Sequence, residues 1–69
     1  MKLSARNQFK GTVVGIQEGA VNGIVQIDIG GGNVVSATIS MNAIRELGLA
    51  VGKEAYAVIK ATSVMVGVD

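Results

Sequence analysis

A chain of 69 residues with neither cysteine nor histidine has no disulfide and no thiolate or imidazole metal site to hold it together. At this length a single hydrophobic core rarely supplies more than about 3–5 kcal/mol. Yet 49% of the residues are hydrophobic. The remaining route to stability is self-association, which buries surplus apolar surface between copies. The sequence therefore predicts a homo-oligomer.

The same absences remove whole classes of function. Without His or Cys there is no Ser-His-Asp or Cys-His nucleophile, and the five carboxylates are scattered, with no acid/base pair. This is not the composition of an enzyme. The net charge is +1 and Phe9 and Tyr56 are the aromatics. That is a poor inventory for nucleic acid, which wants a basic stripe and stacking platforms. No apolar run reaches the ~18 residues of a membrane span. The first six residues lack the apolar core of a signal peptide, and the chain reads as cytoplasmic.

Proline is absent, so glycines punctuate the chain. Residues 7–18 hold Phe9, Val13, Val14 and Ile16, interrupted by Gly11 and Gly15, which predicts a long strand with a bend or bulge. In residues 21–29, Val21, Gly23, Val25, Ile27 and Ile29 alternate with Asn22, Ile24, Gln26 and Asp28, the period of a half-buried strand. Gly30-Gly31-Gly32-Asn33 is a hairpin turn and residues 34–39 are the returning strand. The period then changes. Met41, Ile44 and Leu47 share one helical face, Ser40 is a good N-cap, and Gly48 followed by Leu49 ends the helix. Residues 53–61 and 62–68 complete the set as two further strands. The predicted fold is all-β: a small five-stranded OB-like Greek-key barrel with one short helix between strands 3 and 4, an SH3-like barrel being the second choice. Val14, Ile24 and Val58 fall on faces opposite the core, and residues 64–68 are apolar on both faces. These surfaces predict subunit contact through strand faces or edges.

Three polar clusters remain: residues 4–7 before the first strand, Ser36, Thr38 and Ser40 leading into the helix, and residues 60–63 between the last two predicted strands. They offer the cations Arg6 and Lys60, several hydroxyls and the amides of a helix start, with no carboxylate among them. Such a set suits a small dianion, whose oxygens need donors and whose charge needs compensation. Read singly, Ser40 is equally an ordinary N-cap, and Arg6 and Lys60 are equally solvated surface charges.

Ser-Ala-Arg-Asn-Gln-Phe at 4–9, Gly11-Thr-Val, and Gly19-Ala-Val-Asn22 resemble the start of a molybdate-binding Mop domain. Leu47-Gly48-Leu49, Gly52-Lys53 and Ile59-Lys60-Ala61-Thr62-Ser63-Val64 match its end. Nearly the whole chain is covered, and residues 1–69 resemble a single Mop domain, the free-standing molbindin of clostridial type. The resemblance implies an OB-like barrel and reversible binding of molybdate or tungstate for intracellular storage. It implies homohexamers built as trimers of dimers, with oxyanion sites between subunits. Carried over by position, Ser4, Ala5 and Arg6 bind the oxyanion from one segment. Lys60, Ala61, Thr62 and Ser63 bind it from another, and Ser40 from the start of the helix. The metal has no direct protein ligand and is held as its oxyanion, a ligand and not a catalytic cofactor. A second site near a three-fold axis is placed at Val21 and Asn22. The family often has a second serine where this chain has Ala43, so a donor is lost there or replaced by a backbone amide or a water. Two other functions compete: a structural oligomerisation or docking module that binds no anion, and an OB-type binder of single-stranded nucleic acid.

Overall fold

The computed structural model describes residues 1–69. In chain order it has β1 (Asn7–Gln17), β2 (Asn22–Gly30), β3 (Asn33–Ser40), α1 (Met41–Glu46) and β4 (Glu54–Ile59). The strands form one antiparallel sheet in the order β3-β2-β1-β4. Three consecutive strands with the fourth returned beside the first are a Greek key. β1 is long enough to serve two neighbours: Asn7 to Thr12 pair with β4, and Thr12 to Gln17 pair with β2. Its register with β2 shifts between Val13 and Gly15, the bulge expected of a strand broken by glycines. The sheet curls, and the short helix lies between β3 and β4 as predicted.

The core is small and follows the period-two reading of β2. Val13, Val25, Ile27, Met41, Ile44 and Ala57 are buried together. Asn22, Ile24, Gln26 and Asp28 face out, as do Val14 and Val58. Helix α1 docks where β2 has no side chain. A Cβ at Gly23 would come within 2.7 Å of Ile44 Cδ1, 2.9 Å of Met41 Sδ and 3.0 Å of the Gln17 carbonyl oxygen. The glycine is thus a close-approach position, and packing of the only helix depends on it.

The helix ends are chemically complete. Ser40 Oγ accepts from the Ala43 amide at 3.0 Å. At the other end Gly48 takes φ +62. Its amide donates to the Arg45 carbonyl and that of Leu49 to the Ile44 carbonyl, both at 3.0 Å, a Schellman pattern. Lys53 Nζ adds bonds to the carbonyls of Leu47 at 3.1 Å and Gly48 at 2.9 Å. The three-glycine turn has positive φ at Gly30, Gly31 and Gly32.

The strand count is four, not five. Where a strand was predicted over 62–68, the structure has a 3₁₀ turn at Ala61–Ser63 followed by unpaired chain. Apolar alternation predisposes a segment to pair but cannot supply the edge it pairs with. Within the single chain, residues 65–69 make no backbone hydrogen bond. Val21 also lies outside its predicted strand, one residue ahead of β2 and 74% exposed.

Candidate functional site

Antiparallel pairing of β1 with β4 unites two of the three polar clusters. The last aligned pair is Asn7 with Ile59. Arg6 immediately precedes one member and Lys60 immediately follows the other. The two chain segments are tied there by Asn7 Nδ2, which donates to the Ile59 carbonyl at 3.1 Å. On the N-terminal side Gln8 Nε2 donates to the Ala5 carbonyl at 2.7 Å and shapes the run from Ser4 to Asn7. On the other side the 3₁₀ turn is closed by the Ser63 amide on the Lys60 carbonyl at 2.9 Å. Ser4, Arg6, Lys60, Ala61, Thr62 and Ser63 are exposed and Ala5 is half-buried.

Arg6 and Lys60 have no carboxylate partner. The molecule's one ion pair joins Lys10 to Glu54 at 3.4 Å, with both side chains well exposed. Two like charges flanking one cross-strand pair repel each other. An anion between them removes that repulsion and gains charge-assisted hydrogen bonds from both. Thr62 and Ser63 hydroxyls stand one and two residues beyond Ala61, and the Ser4 hydroxyl two residues before Arg6, so neutral donors flank the cations along the chain. No His, Cys, Asp or Glu cluster capable of holding a bare metal ion is present.

The third cluster is placed differently. No hydrogen bond joins Ser36, Thr38 or Ser40 to the cations. Ser36 of this cluster lines an apolar groove of about 520 Å³ between β3 and β4, together with Ile39 and Ile59, while Ser40 and Lys60 are not part of its lining. The helix start is less free than its sequence implied. The Met41 amide is taken by the Val21 carbonyl at 2.8 Å and the Ala43 amide by Ser40 Oγ. Ser40 therefore acts as an N-cap here, with its own hydroxyl proton still available to donate. The amide at Ala43, the substitute for the missing second serine, is already occupied.

Asn22 lines a separate polar cleft of about 270 Å³ with Gln17, Glu18 and Thr38, and Val21 is not part of its lining. Glu18 is the only charged residue among those lining it. Sequence reasoning did not single out Asn7 or Lys53. Asn7 acts through the Ile59 carbonyl, distant in sequence, and Lys53 through the Leu47 and Gly48 carbonyls at the helix end, and no local pattern marks either.

Residues 3–66 match the family described as the TOBE domain. The chain is 71% identical over 69 residues to a probable molybdenum-pterin-binding protein of Haemophilus influenzae, the match covering 100% of both. Among solved structures it is similar to MopII from Clostridium pasteurianum, with 45% identity, a TM-score of 0.91, and coverage of 97% of this chain and 100% of that one. It is also similar to the cytoplasmic molybdate-binding protein ModG with molybdate bound. Identity there is 54% and the TM-score 0.83, over 88% of this chain and 43% of that chain.

Proposed function

The chain belongs to the TOBE-domain family, among its molybdenum-pterin-binding proteins, and from that premise we propose that it binds molybdate reversibly, with tungstate as a second ligand, for storage or homeostasis inside the cell. It is a binding module and not an enzyme. No bond of the protein is made or broken. A tetrahedral dianion exchanges its water for fixed donors and two cations, and the metal stays inside its oxygen shell.

The observation that carries this reading is the pairing of Asn7 with Ile59, which sets Arg6 and Lys60 at one sheet edge with no acid beside them. Arg6 and Lys60 compensate the charge. Ser4, Thr62 and Ser63 donate hydroxyl protons, and the amides of Ala5 and Ala61 serve the remaining oxygens. Ser40 adds its hydroxyl from the far side of the groove or from a neighbouring copy. The sites lie between copies of a homo-oligomer, a hexamer built as a trimer of dimers, with residues 1–69 acting as one unit. A second site at Val21 and Asn22 requires further subunits, because within one chain its charged neighbour is the Glu18 carboxylate. The cytoplasm is the proposed location. No helix is long and apolar enough to cross a membrane, and a similar structure is that of a cytoplasmic protein.

Native mass spectrometry of the anion-free protein, titrated with molybdate, tungstate and sulfate, tests the reading. The expected result is an oligomer that gains a fixed number of molybdates or tungstates and no sulfate. An oligomer that gains none is the docking module. Salt-sensitive binding of single-stranded DNA with no anion uptake is the nucleic-acid reading.

A further inference from the structure

The two segments that carry Arg6 and Lys60 lie outside every strand: residues 1–6 precede β1, and residues 60–63 follow β4. Chain ends of this kind are poorly ordered unless something ties them down. Gln8 Nε2 on the Ala5 carbonyl, at 2.7 Å, draws the first segment back onto its own strand. The Ser63 amide on the Lys60 carbonyl, at 2.9 Å, closes the second on itself. Neither bond joins the two. Beyond the strand ladder, the side-chain bond that crosses between them is the one from Asn7 Nδ2 to the Ile59 carbonyl, at 3.1 Å.

That bond sits where it acts on both cations. Asn7 and Ile59 are the last aligned pair of β1 and β4. Arg6 and Lys60 are the next residues outward, one on each segment, and neither has a carboxylate partner. Like charges so placed push the segments apart. Asn7 opposes that push without adding charge. It is half-buried and, by strand alternation, shares the face of buried Val13.

We infer that Asn7 is a positioning and specificity-determining residue of the oxyanion site: its bond to the Ile59 carbonyl fixes the backbone beneath Arg6 and Lys60 before the anion arrives, and so sets which size of tetrahedral dianion the pair serves. The inference rests on the proposed function and deepens it.

Molybdate, tungstate and sulfate share charge and shape. Sulfate is the smaller, so two positive charges alone do not separate it from the others. Size is read only by donors that cannot follow the ligand inward. Cations on long stems, at the ends of untied segments, would close on a small anion as readily as on a large one. Tying the segments at their base removes part of that freedom. The cost of ordering them is then met in folding and not at binding. Asn7 acts through the two cations, which is why its effect is expected in the choice between anions as well as in affinity.

Asn7→Ala and Asn7→Leu both remove the donor, and the second keeps roughly the volume of the side chain. Neither alters a cation or a hydroxyl of the site. Each full-length protein is saturated with molybdate and titrated with sulfate, and native mass spectrometry gives the molar excess of sulfate that displaces half of the bound molybdate. That excess is the selectivity itself. The net worth of one hydrogen bond between neutral groups corresponds to about 3–10-fold in an equilibrium constant, so the excess is expected to fall by about that factor in both variants. Calorimetry is expected to show molybdate affinity falling with it, and sulfate affinity falling less or not at all. A residue that merely supports the fold lowers both affinities by one factor and leaves the excess unchanged, and that result overturns the inference. Loss of the folded circular dichroism spectrum in both variants also makes Asn7 structural and overturns it. The unmodified protein separates the two readings. No molybdate uptake there ends the proposed function and this inference with it, whereas uptake with an unchanged excess in the variants ends this inference alone.

Discussion

Helix α1 and the C-terminal tail are two short apolar segments with opposite fates. Met41 and Ile44 are buried, their helix is capped at both ends, and Gly23 leaves a hollow for it. Residues 64–68 are at least as apolar and are buried against nothing in the same chain. The difference lies in what the chain provides as a partner. For the helix it supplies a matching surface on β2. For the tail it supplies no matching surface, and Met65, Val66 and Val68 stay almost fully exposed. A domain with six buried hydrophobic residues leaves part of its apolar inventory exposed, directly after the polar residues 60–63.

Ile44→Ala probes the helix side and carries the largest expected effect. Truncating a buried isoleucine costs about 2–5 kcal/mol, and urea unfolding is expected to show a midpoint lowered accordingly. A shift no larger than that of a tail variant such as Val66→Ala would break the contrast between the two segments. Arg6→Ala and Lys60→Ala probe the other side. Each removes a charge-assisted donor, worth about 1.5–3 kcal/mol, so calorimetry is expected to show molybdate affinity down by about 10–100-fold. The anion-free protein should keep its melting temperature or gain slightly from relief of like-charge repulsion. Loss of fold instead of loss of binding would make both residues structural.

Ser40→Ala sharpens the comparison because the residue belongs to both regions. Loss of the cap is expected to cost about 1 kcal/mol in thermal unfolding. A parallel fall in molybdate affinity would assign the free hydroxyl proton to the ligand, and unchanged affinity would leave Ser40 a cap alone. Lys10→Ala has the smallest expected effect. Its ion pair with Glu54 is exposed on both sides, and such pairs contribute about 0.2–1 kcal/mol. Unfolding should move by no more than that, with binding unchanged, since the pair stands apart from the polar clusters of the site.

Much of this architecture is legible in the residues. The alternation from Asn22 to Ile29 marks one face for burial. Ser40 and Gly48 bracket the helix, and the three consecutive glycines demand a turn. Each signal works over a few residues, where backbone sterics and periodicity decide. The Met41 amide is not free as the sequence implies, because its partner, the Val21 carbonyl, is set by how the helix docks. Lys53 was overlooked because its carbonyl partners belong to the helix end and only the fold brings them within reach. The strand predicted over 62–68 has the right pattern, but a pattern carries no information about which edge is free.

The sequence by itself determined the secondary elements other than the unpaired tail, the outward and inward faces of β2, the apolar surplus from which self-association is expected, and a donor set of two cations and hydroxyls suited to a dianion. Only the tertiary structure decided that Arg6 and Lys60 flank one strand pair, held by the bond from Asn7 to Ile59 across 52 residues. It also decided that residues 65–69 leave the fold without a backbone hydrogen bond. Local preferences are set by neighbours a few positions away. Strand order and register are set by contacts between distant segments, whose loop-closure cost is met only when the whole sheet forms.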